Sequence, residues 1–428
     1  MNKVLNLFKN KETKNASWII GCRVVQMLLS FFIGVWTARY LGPSNKGVID
    51  YVAAYVAFFT AFCTLGLNSV IVKEFIDYPK EQGETLGTAM VLRIVSSVLS
   101  AIMIIGIIGV VDKNDKVILM VAVLSSVALV FQVFDAFQYW FQSRYESKVS
   151  SVATLTGYIV VAIYKVYLLI SGKDVYYFAL STSIDYIVIA VFLYIVYKKR
   201  NGPKLKFNFN KGKKLLKLGY HFILSGLMVA IYGQTDKIML KHMLNKAEVG
   251  YYGTAVSLCN IWVFVLAAVI DSVVPTIMSL YKDGDYEGFK RKNRQLYCIT
   301  FYLSVSVSLF FTVFGQFIVK TLYGDAYAGV VLPLQVITWY TAFSYLGVAR
   351  NAWLVCEGKQ KYVKYMSLGA VIINIGLNFI FIPVLNAAGA ALASLITQIF
   401  TSIILPLMWK DMRPNVKLMF EGICFRLK

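Results

Sequence analysis

Apolar stretches separated by short polar breaks run along the whole chain. They occupy 17–38, 48–70, 86–111, 117–141, 149–171, 175–197, 217–239, 251–280, 296–319, 329–353, 365–383 and 388–409. A helix needs ~20 apolar residues to cross a bilayer core, and in lipid every backbone polar group must bond within its own segment. The pattern therefore predicts an all-α membrane protein with about twelve transmembrane helices. Trp18, Trp36, Trp140, Trp353 and Trp409 fall near predicted span ends, where interfacial aromatics are expected.

Composition excludes the soluble alternative. Of 428 residues, 58% are hydrophobic and only 15% charged, whereas soluble domains are about a quarter charged. Twelve spans consume nearly all of the apolar residues and leave little for an extramembrane domain. The cysteines (Cys22, Cys63, Cys259, Cys298, Cys356 and Cys424) lie in spans or inner segments without metal or redox spacing, and are expected to be reduced and structural. The basic start (Lys3, Lys9, Lys11, Lys14) meets an apolar stretch too long for a signal-peptide core and lacks a small-residue cleavage pattern, so no cleavable signal is expected.

The net charge of +21 would suggest nucleic acid in a soluble protein; here its distribution carries topology. With both termini cytoplasmic, inner segments hold 31 basic residues, outer segments hold 9, and Arg23, Arg93 and Lys165 are intramembrane. That bias predicts a multi-pass protein of the cytoplasmic membrane with N and C termini inside. All outer connections are short. The longest inner connection, 198–217, carries nine basic residues and no acid. It reads as a topology-setting clamp near anionic headgroups, or as a docking site for substrate phosphates or a partner enzyme. It divides the chain into an N-terminal lobe, 1–200, a basic linker, 201–216, and a C-terminal lobe, 217–428.

Six spans per lobe make any internal repeat parallel. Leu41 to Gly47 and Leu244 to Gly250 share a Leu-x5-Gly spacing at the first outer turn of each half, and Trp140 and Trp353 each end a fourth span. These matches favour a duplicated, two-lobed transporter.

Ionisable groups inside spans cost roughly 2.5–3.5 kcal/mol each on insertion scales, so each requires a reason. Arg23, Arg93 and Asp135 fall at similar depth below the inner interface of the first lobe. They suggest an electropositive cavity in which arginine grips phosphate oxygens and Asp135 is a charge partner; the alternative is that both arginines snorkel to the headgroups. Lys165 reads as a snorkelling lysine. In the second lobe, Gln234-Thr235-Asp236-Lys237 is expected to break span seven, and Asp271 before Val273-Val274-Pro275 to interrupt span eight. Either aspartate could carry a coupling proton or Na⁺, or Asp236 and Lys237 could simply pair with neighbours and Pro275 kink its helix. Asn260, Asn374, Asn378, Gln335 and Gln398 read as interhelical hydrogen bonds, and Ala387-Ala388-Gly389-Ala390-Ala391 as close helix packing.

No G-x-x-x-x-G-K-[ST], H-E-x-x-H or C-x-x-C occurs, and the histidines are only His221 and His242. Nothing points to an enzyme, a cofactor or a bound metal.

The turn Thr37-Ala38-Arg39-Tyr40-Leu41-Gly42-Pro43-Ser44-Asn45-Lys46-Gly47 resembles the "ARYLGP-x-x-x-G" turn of Wzx-type polysaccharide flippases. Further similar stretches are Phe141-Gln142-Ser143-Arg144-Tyr145-Glu146, then Asp236-Lys237-Ile238-Met239-Leu240 leading to Val249-Gly250-Tyr251-Tyr252-Gly253-Thr254-Ala255, and Ile382-Pro383 followed by Gly389-Ala390-Ala391. The resemblance implies the multidrug/oligosaccharidyl-lipid/polysaccharide exporter fold, with two six-helix lobes around a central cavity, as in multidrug exporters and lipid II flippases. It also implies the substrate, an oligosaccharide repeat unit of O-antigen, capsule or exopolysaccharide on undecaprenyl diphosphate, moved from inner to outer leaflet. Cavity cations meet the diphosphate in that family; Arg23 and Arg93 could fill that role here, and Arg39 lies inside the matching turn. Implied partners are the lipid-linked oligosaccharide, membrane lipids, polysaccharide polymerase and glycosyltransferases, without nucleic acid. Competing readings are a drug or cation antiporter of the same fold, a lipid II flippase, and a non-transporting scaffold for polysaccharide assembly.

Overall fold

The computed structural model describes the backbone of residues 11–426, and side chains from Gly21 onward except those of His221, Leu224 and Ser225. Trp18, His221 and the basic residues at the start of the chain lie outside the described side chains. Among the described residues there is no strand. The helices are α1 (Lys11–Cys63), α2 (Leu67–Asp77), α3 (Gln82–Val111), α4 (Lys116–Gln132), α5 (Ala136–Ser143), α6 (Ser147–Ile170), α7 (Val175–Lys199), α8 (Phe209–Met243), α9 (Lys246–Lys282), α10 (Tyr286–Tyr323), α11 (Val331–Cys356), α12 (Lys361–Leu385), α13 (Ala387–Ile399), α14 (Leu405–Met408) and α15 (Arg413–Ile423).

Among the described residues, ten helical segments are long and apolar enough to cross a membrane. Two features reconcile these ten with the twelve apolar stretches. The 53 residues of α1 would span about 80 Å at 1.5 Å per residue, far more than one ~30 Å bilayer core. The helix is broken at Gly42, whose φ of 72° and ψ of 168° suit a residue without Cβ, and Pro43 follows it. α1 therefore covers two predicted spans. The twelfth stretch falls on α8, which also carries Asp236, Lys237, Lys241 and His242.

The chain forms two compact units: an N-terminal unit of residues up to Leu41 and Tyr51–Ala230, and a C-terminal unit of Gly42–Asp50 and Ile231–Lys428. This division differs from one drawn at the basic linker. Residues 203–208 and the first half of α8 pack with the N-terminal unit, and the turn at Gly42–Asp50 packs with the C-terminal one.

In the N-terminal unit, α2, α3, α5 and α7 bury one core around Trp140, Phe137, Phe141 and Tyr197. Its counterpart in the C-terminal unit gathers α9, α10, α11 and α15 around Trp353, Tyr297 and Leu346. Trp140 and Trp353 are thus core residues of their units rather than members of an interfacial belt. Each is buried, and the Trp140 indole donates to Gln82 Oε1 at 3.0 Å. Within the C-terminal unit the two Leu-x5-Gly segments meet. A Cβ on Gly250 would lie 2.1 Å from the Pro43 carbonyl oxygen, so the backbones touch where both residues of the pair are glycine. All six cysteines are free.

The basic linker is strapped to the N-terminal unit. Residues 202–208 form no regular element and lie over Gly83 and Gly87, one turn apart on α3. The Lys206 amide donates to the Gly83 carbonyl at 3.1 Å, the Asn208 amide to Thr88 Oγ1 at 3.0 Å, and the Tyr197 hydroxyl to the Pro203 carbonyl. Lys211 then bridges Glu74 at 2.9 Å and Glu81 at 2.7 Å, while Lys214 meets the other Glu74 oxygen at 2.9 Å. Burial disfavours the Lys211 ammonium, but Glu81 and Glu74 outweigh it and raise its pKa; the Glu74 hydrogen bond likewise raises that of Lys214. A raised lysine pKa contributes stability that is complete below the unfolded value of ~10.4 and lost as pH climbs through the folded value. The strap is therefore fully engaged at neutral pH.

A Cβ on Gly87 would sit 2.5 Å from the Lys206 carbonyl oxygen. Gly87→Val is expected to weaken the strap by about 1–3 kcal/mol. Hydrogen exchange should show this as faster exchange at the Lys206 and Asn208 amides, with α11 unchanged.

Candidate functional site

Each unit holds a polar cavity of its own. That of the N-terminal unit encloses about 180 Å³ and is lined by Arg93, Asn68, Asp135, Gln132, Thr60 and Tyr139, among others. Arg93 projects from the middle of α3, where its neighbours along the chain are apolar and small, and is only 2% exposed. Its Nη2 donates to Asn68 Oδ1 at 2.6 Å, and its guanidinium lies 5.5 Å from the Tyr139 ring centroid. Its Nε finds no partner among the described residues. A buried guanidinium this incompletely matched can donate to an anionic oxygen, and a planar fork suits phosphate.

Asp135 lies in the 3₁₀ turn Val133–Asp135 between α4 and α5. The turn places it on the Arg93 cavity, where its Oδ1 accepts from Gln138 Nε2 at 2.9 Å. The group that Arg93 contacts directly is Asn68, a neutral amide that sequence reasoning passed over. Arg23 is exposed on α1 and does not line this cavity. The expected three-charge layer is thus reduced to Arg93 and Asp135, because helical phase on α1, and not depth alone, decides where Arg23 points. Arg39 is also exposed, three residues before the break at Gly42.

The cavity of the C-terminal unit is about 230 Å³, and its wall includes Tyr232, Asp236, Tyr252, Asn260, Tyr340 and Ser394. Contrary to expectation, Asp236 does not break its helix: α8 runs through it. Its carboxylate is satisfied across helices instead. Asn378 Nδ2 of α12 donates to Oδ1 at 2.7 Å, and Ser394 Oγ of α13 donates to Oδ2 at 2.7 Å. The Tyr252 hydroxyl of α9 donates to Oδ2 as well. Asn374 extends the network, accepting from Asn378 Nδ2 at 3.2 Å and donating to Ser394 Oγ at 3.3 Å. Asp236, Asn374, Asn378 and Ser394 are all buried, so a charge at the membrane's expense is held by neutral donors. Asn378 Oδ1 is left without a partner among the described residues.

Asn374, Asn378, Gln335 and Gln398 make the hydrogen bonds their sequence positions suggest. Gln398 Nε2 donates to Tyr232 at 2.8 Å and Gln335 Nε2 to the Thr312 carbonyl at 2.8 Å. The small-residue stretch is buried, and a Cβ on Gly389 would lie 2.2 Å from the Phe381 carbonyl oxygen. Asp271 is corrected: α9 passes unbroken through it and Pro275, and its side chain is exposed. Pro275 removes only the donor that would have met the Asp271 carbonyl.

Arg350, close to an inner span end in the sequence, is a buried residue of α11. Its Nη1 donates to the Ser402 carbonyl at 3.0 Å. In an α-helix that carbonyl would accept from residue 406, which is Pro406 and has no N–H. The turn Phe400–Ile404 is a π-helix at this point, and Arg350 supplies the missing donor. The signal was the proline four residues after a buried carbonyl. Arg350→Met should cost about 1–3 kcal/mol by orphaning that acceptor. Adding Pro406→Ala, which restores the N–H, should recover part of the loss in thermal unfolding of the detergent-solubilised protein.

Comparison with known proteins agrees with this architecture. A capsular polysaccharide biosynthesis protein, CapF, of Staphylococcus aureus is 22% identical over 398 residues, covering 90% of this chain and 96% of the relative. Among solved structures, an inward-facing multidrug resistance MATE family transporter of the MOP superfamily superposes with a TM-score of 0.73 at 14% identity, covering 92% of this chain and 96% of that one. The lipid II flippase MurJ in its inward closed conformation gives 0.72 at 15% identity, covering 96% and 92%. At such identities these likenesses show the fold. The sequence model describing polysaccharide biosynthesis proteins matches residues 37–332, well over half of the chain, and the protein is a multi-pass membrane member of the polysaccharide biosynthesis protein family.

Proposed function

We propose that the protein is a flippase that moves undecaprenyl-diphosphate-linked oligosaccharide from the inner to the outer leaflet of the cytoplasmic membrane, with both termini inside. The observation that supports this reading most is Arg93, a buried and incompletely matched guanidinium on a polar cavity, in a family of polysaccharide biosynthesis proteins. A diphosphate cannot enter hydrocarbon unscreened, and Arg93 offers it a preformed cationic partner. The exposed Arg23 on α1 supplies a second cation to the incoming headgroup. Asp236 is the candidate for ion coupling, through a proton or Na⁺: its carboxylate and the unpartnered Asn378 Oδ1 give oxygen ligands inside a membrane helix bundle. Asp271, exposed on its helix, has no comparable setting.

Depletion of the protein should cause undecaprenyl-linked repeat units to accumulate on the cytoplasmic leaflet, measured by extraction and leaflet-selective labelling. Arg93→Ala should reproduce the accumulation at normal protein level, with partial rescue by Arg93→Lys, which keeps charge but loses the fork. Unchanged repeat-unit levels and normal surface polymer would refute the flippase and leave the drug or cation antiporter, tested by efflux. Arg23→Ala should give a weaker defect than Arg93→Ala; normal polymer in that variant would remove Arg23 from the site.

A further inference from the structure

The strap sorts the basic linker into two classes of cation. Lys211 and Lys214 are taken up by Glu74 and Glu81. Lys204, Lys206 and Lys213 stay exposed, and no acidic residue occurs anywhere in 198–217 to neutralise them. Interleaved with them are three apolar side chains that the fold leaves uncovered: Leu205 at 41% exposure, Phe207 at 54% and Phe209 at 65%. This is not slack chain, since backbone bonds to Gly83 and Thr88 fix the segment on both sides of Phe207. Lys213 Nζ stands 4.8 Å over the Phe209 ring. The segment also joins α7 to α8, so its ends leave the bilayer at one interface.

We propose that residues 204–213 form an interfacial anchor that binds anionic phospholipid of the cytoplasmic leaflet. Phe207 and Phe209 insert at the headgroup–acyl boundary while Lys204, Lys206 and Lys213 pair with lipid phosphates. Aromatic side chains favour that boundary, lysines reach past it to phosphate, and apolar burial plus attraction to anionic lipid is the pair of forces that holds interfacial segments. Charge complementarity selects lipid over a neutral protein surface, and the adjoining membrane helices place the segment where such headgroups are. The proposal is independent of what the protein transports.

The test uses the full-length protein in nanodiscs of phosphatidylcholine alone or of equal parts phosphatidylcholine and phosphatidylglycerol. Lipid retained on release into detergent is counted by native mass spectrometry. Two variants are compared with the wild type, K204Q/K206Q and F207S/F209S, with R291Q/K292Q as a control for cations elsewhere on the inner side. One lysine near an anionic surface is worth roughly a fivefold change in binding. K204Q/K206Q is therefore expected to lower the retained ratio of phosphatidylglycerol to phosphatidylcholine at least roughly fivefold. F207S/F209S should lower retention of phosphatidylglycerol too, and the control should match the wild type. Thermal unfolding in phosphatidylcholine should be the same for all four proteins, which separates lost lipid from lost fold. Equal retention in wild type and both linker variants would overturn the proposal. So would an equal loss in the control, or capture of an acidic partner protein by Lys204 and Lys206 that phosphatidylglycerol vesicles fail to displace.

Discussion

A charge taken into a helix bundle within a membrane must find its partners already in place, because lipid offers none. Much of this structure is arranged around that constraint. Asp236 is surrounded by a hydroxyl from α9, an amide from α12 and a hydroxyl from α13. Arg350 is spent on a carbonyl orphaned by Pro406. Glu74 enters the edge of the N-terminal core only with two lysines from the linker attached. Arg93, held by one amide and one aromatic face, shares with Arg350 an Nε without a partner among the described residues, but unlike Arg350 it lines a polar cavity.

The twelve apolar stretches were legible because lipid imposes length and composition on each helix separately, so no tertiary information was needed. Arg93 and Asp236 were legible for the same reason, as charges where charge is expensive. What the sequence could not provide was azimuth. Arg23 and Arg93 were expected at one depth, but only Arg93 lines a cavity; Trp140 and Trp353 end predicted spans, yet they turn inward to the cores. The effect of a proline also depended on its surroundings. Pro275 passes through α9 without interrupting it, whereas Pro406 dictates the role of a distant arginine. The linker's cations could be counted, but their division depended on Gly83 and Gly87 opening a track on α3.

The duplication suspected from two short matches has a further structural echo. In the N-terminal unit the segment after the sixth span folds back on the start of the third, as the strap over Gly83, Gly87 and Thr88. In the C-terminal unit the segment after the last span does likewise as a helix. There α15 docks on the start of α10 through Arg294 to Glu421 at 2.7 Å, Asn415 to Tyr297 at 2.7 Å and Tyr302 to the Ile423 carbonyl at 2.7 Å. A strap without regular structure in one half and an amphipathic helix in the other do the same packing task. Their sequences share no pattern, which is why the correspondence was invisible before the structure.

The nine residues Gly42–Asp50 belong by packing to the C-terminal unit although both flanks belong to the N-terminal one. The two units are therefore not interchangeable cassettes. A chimera joined anywhere along the linker would bring a foreign turn to α9, where the meeting of Gly47 and Gly250 leaves no room for side chains. Any exchange of halves would therefore require that turn and the start of α9 to be inherited together.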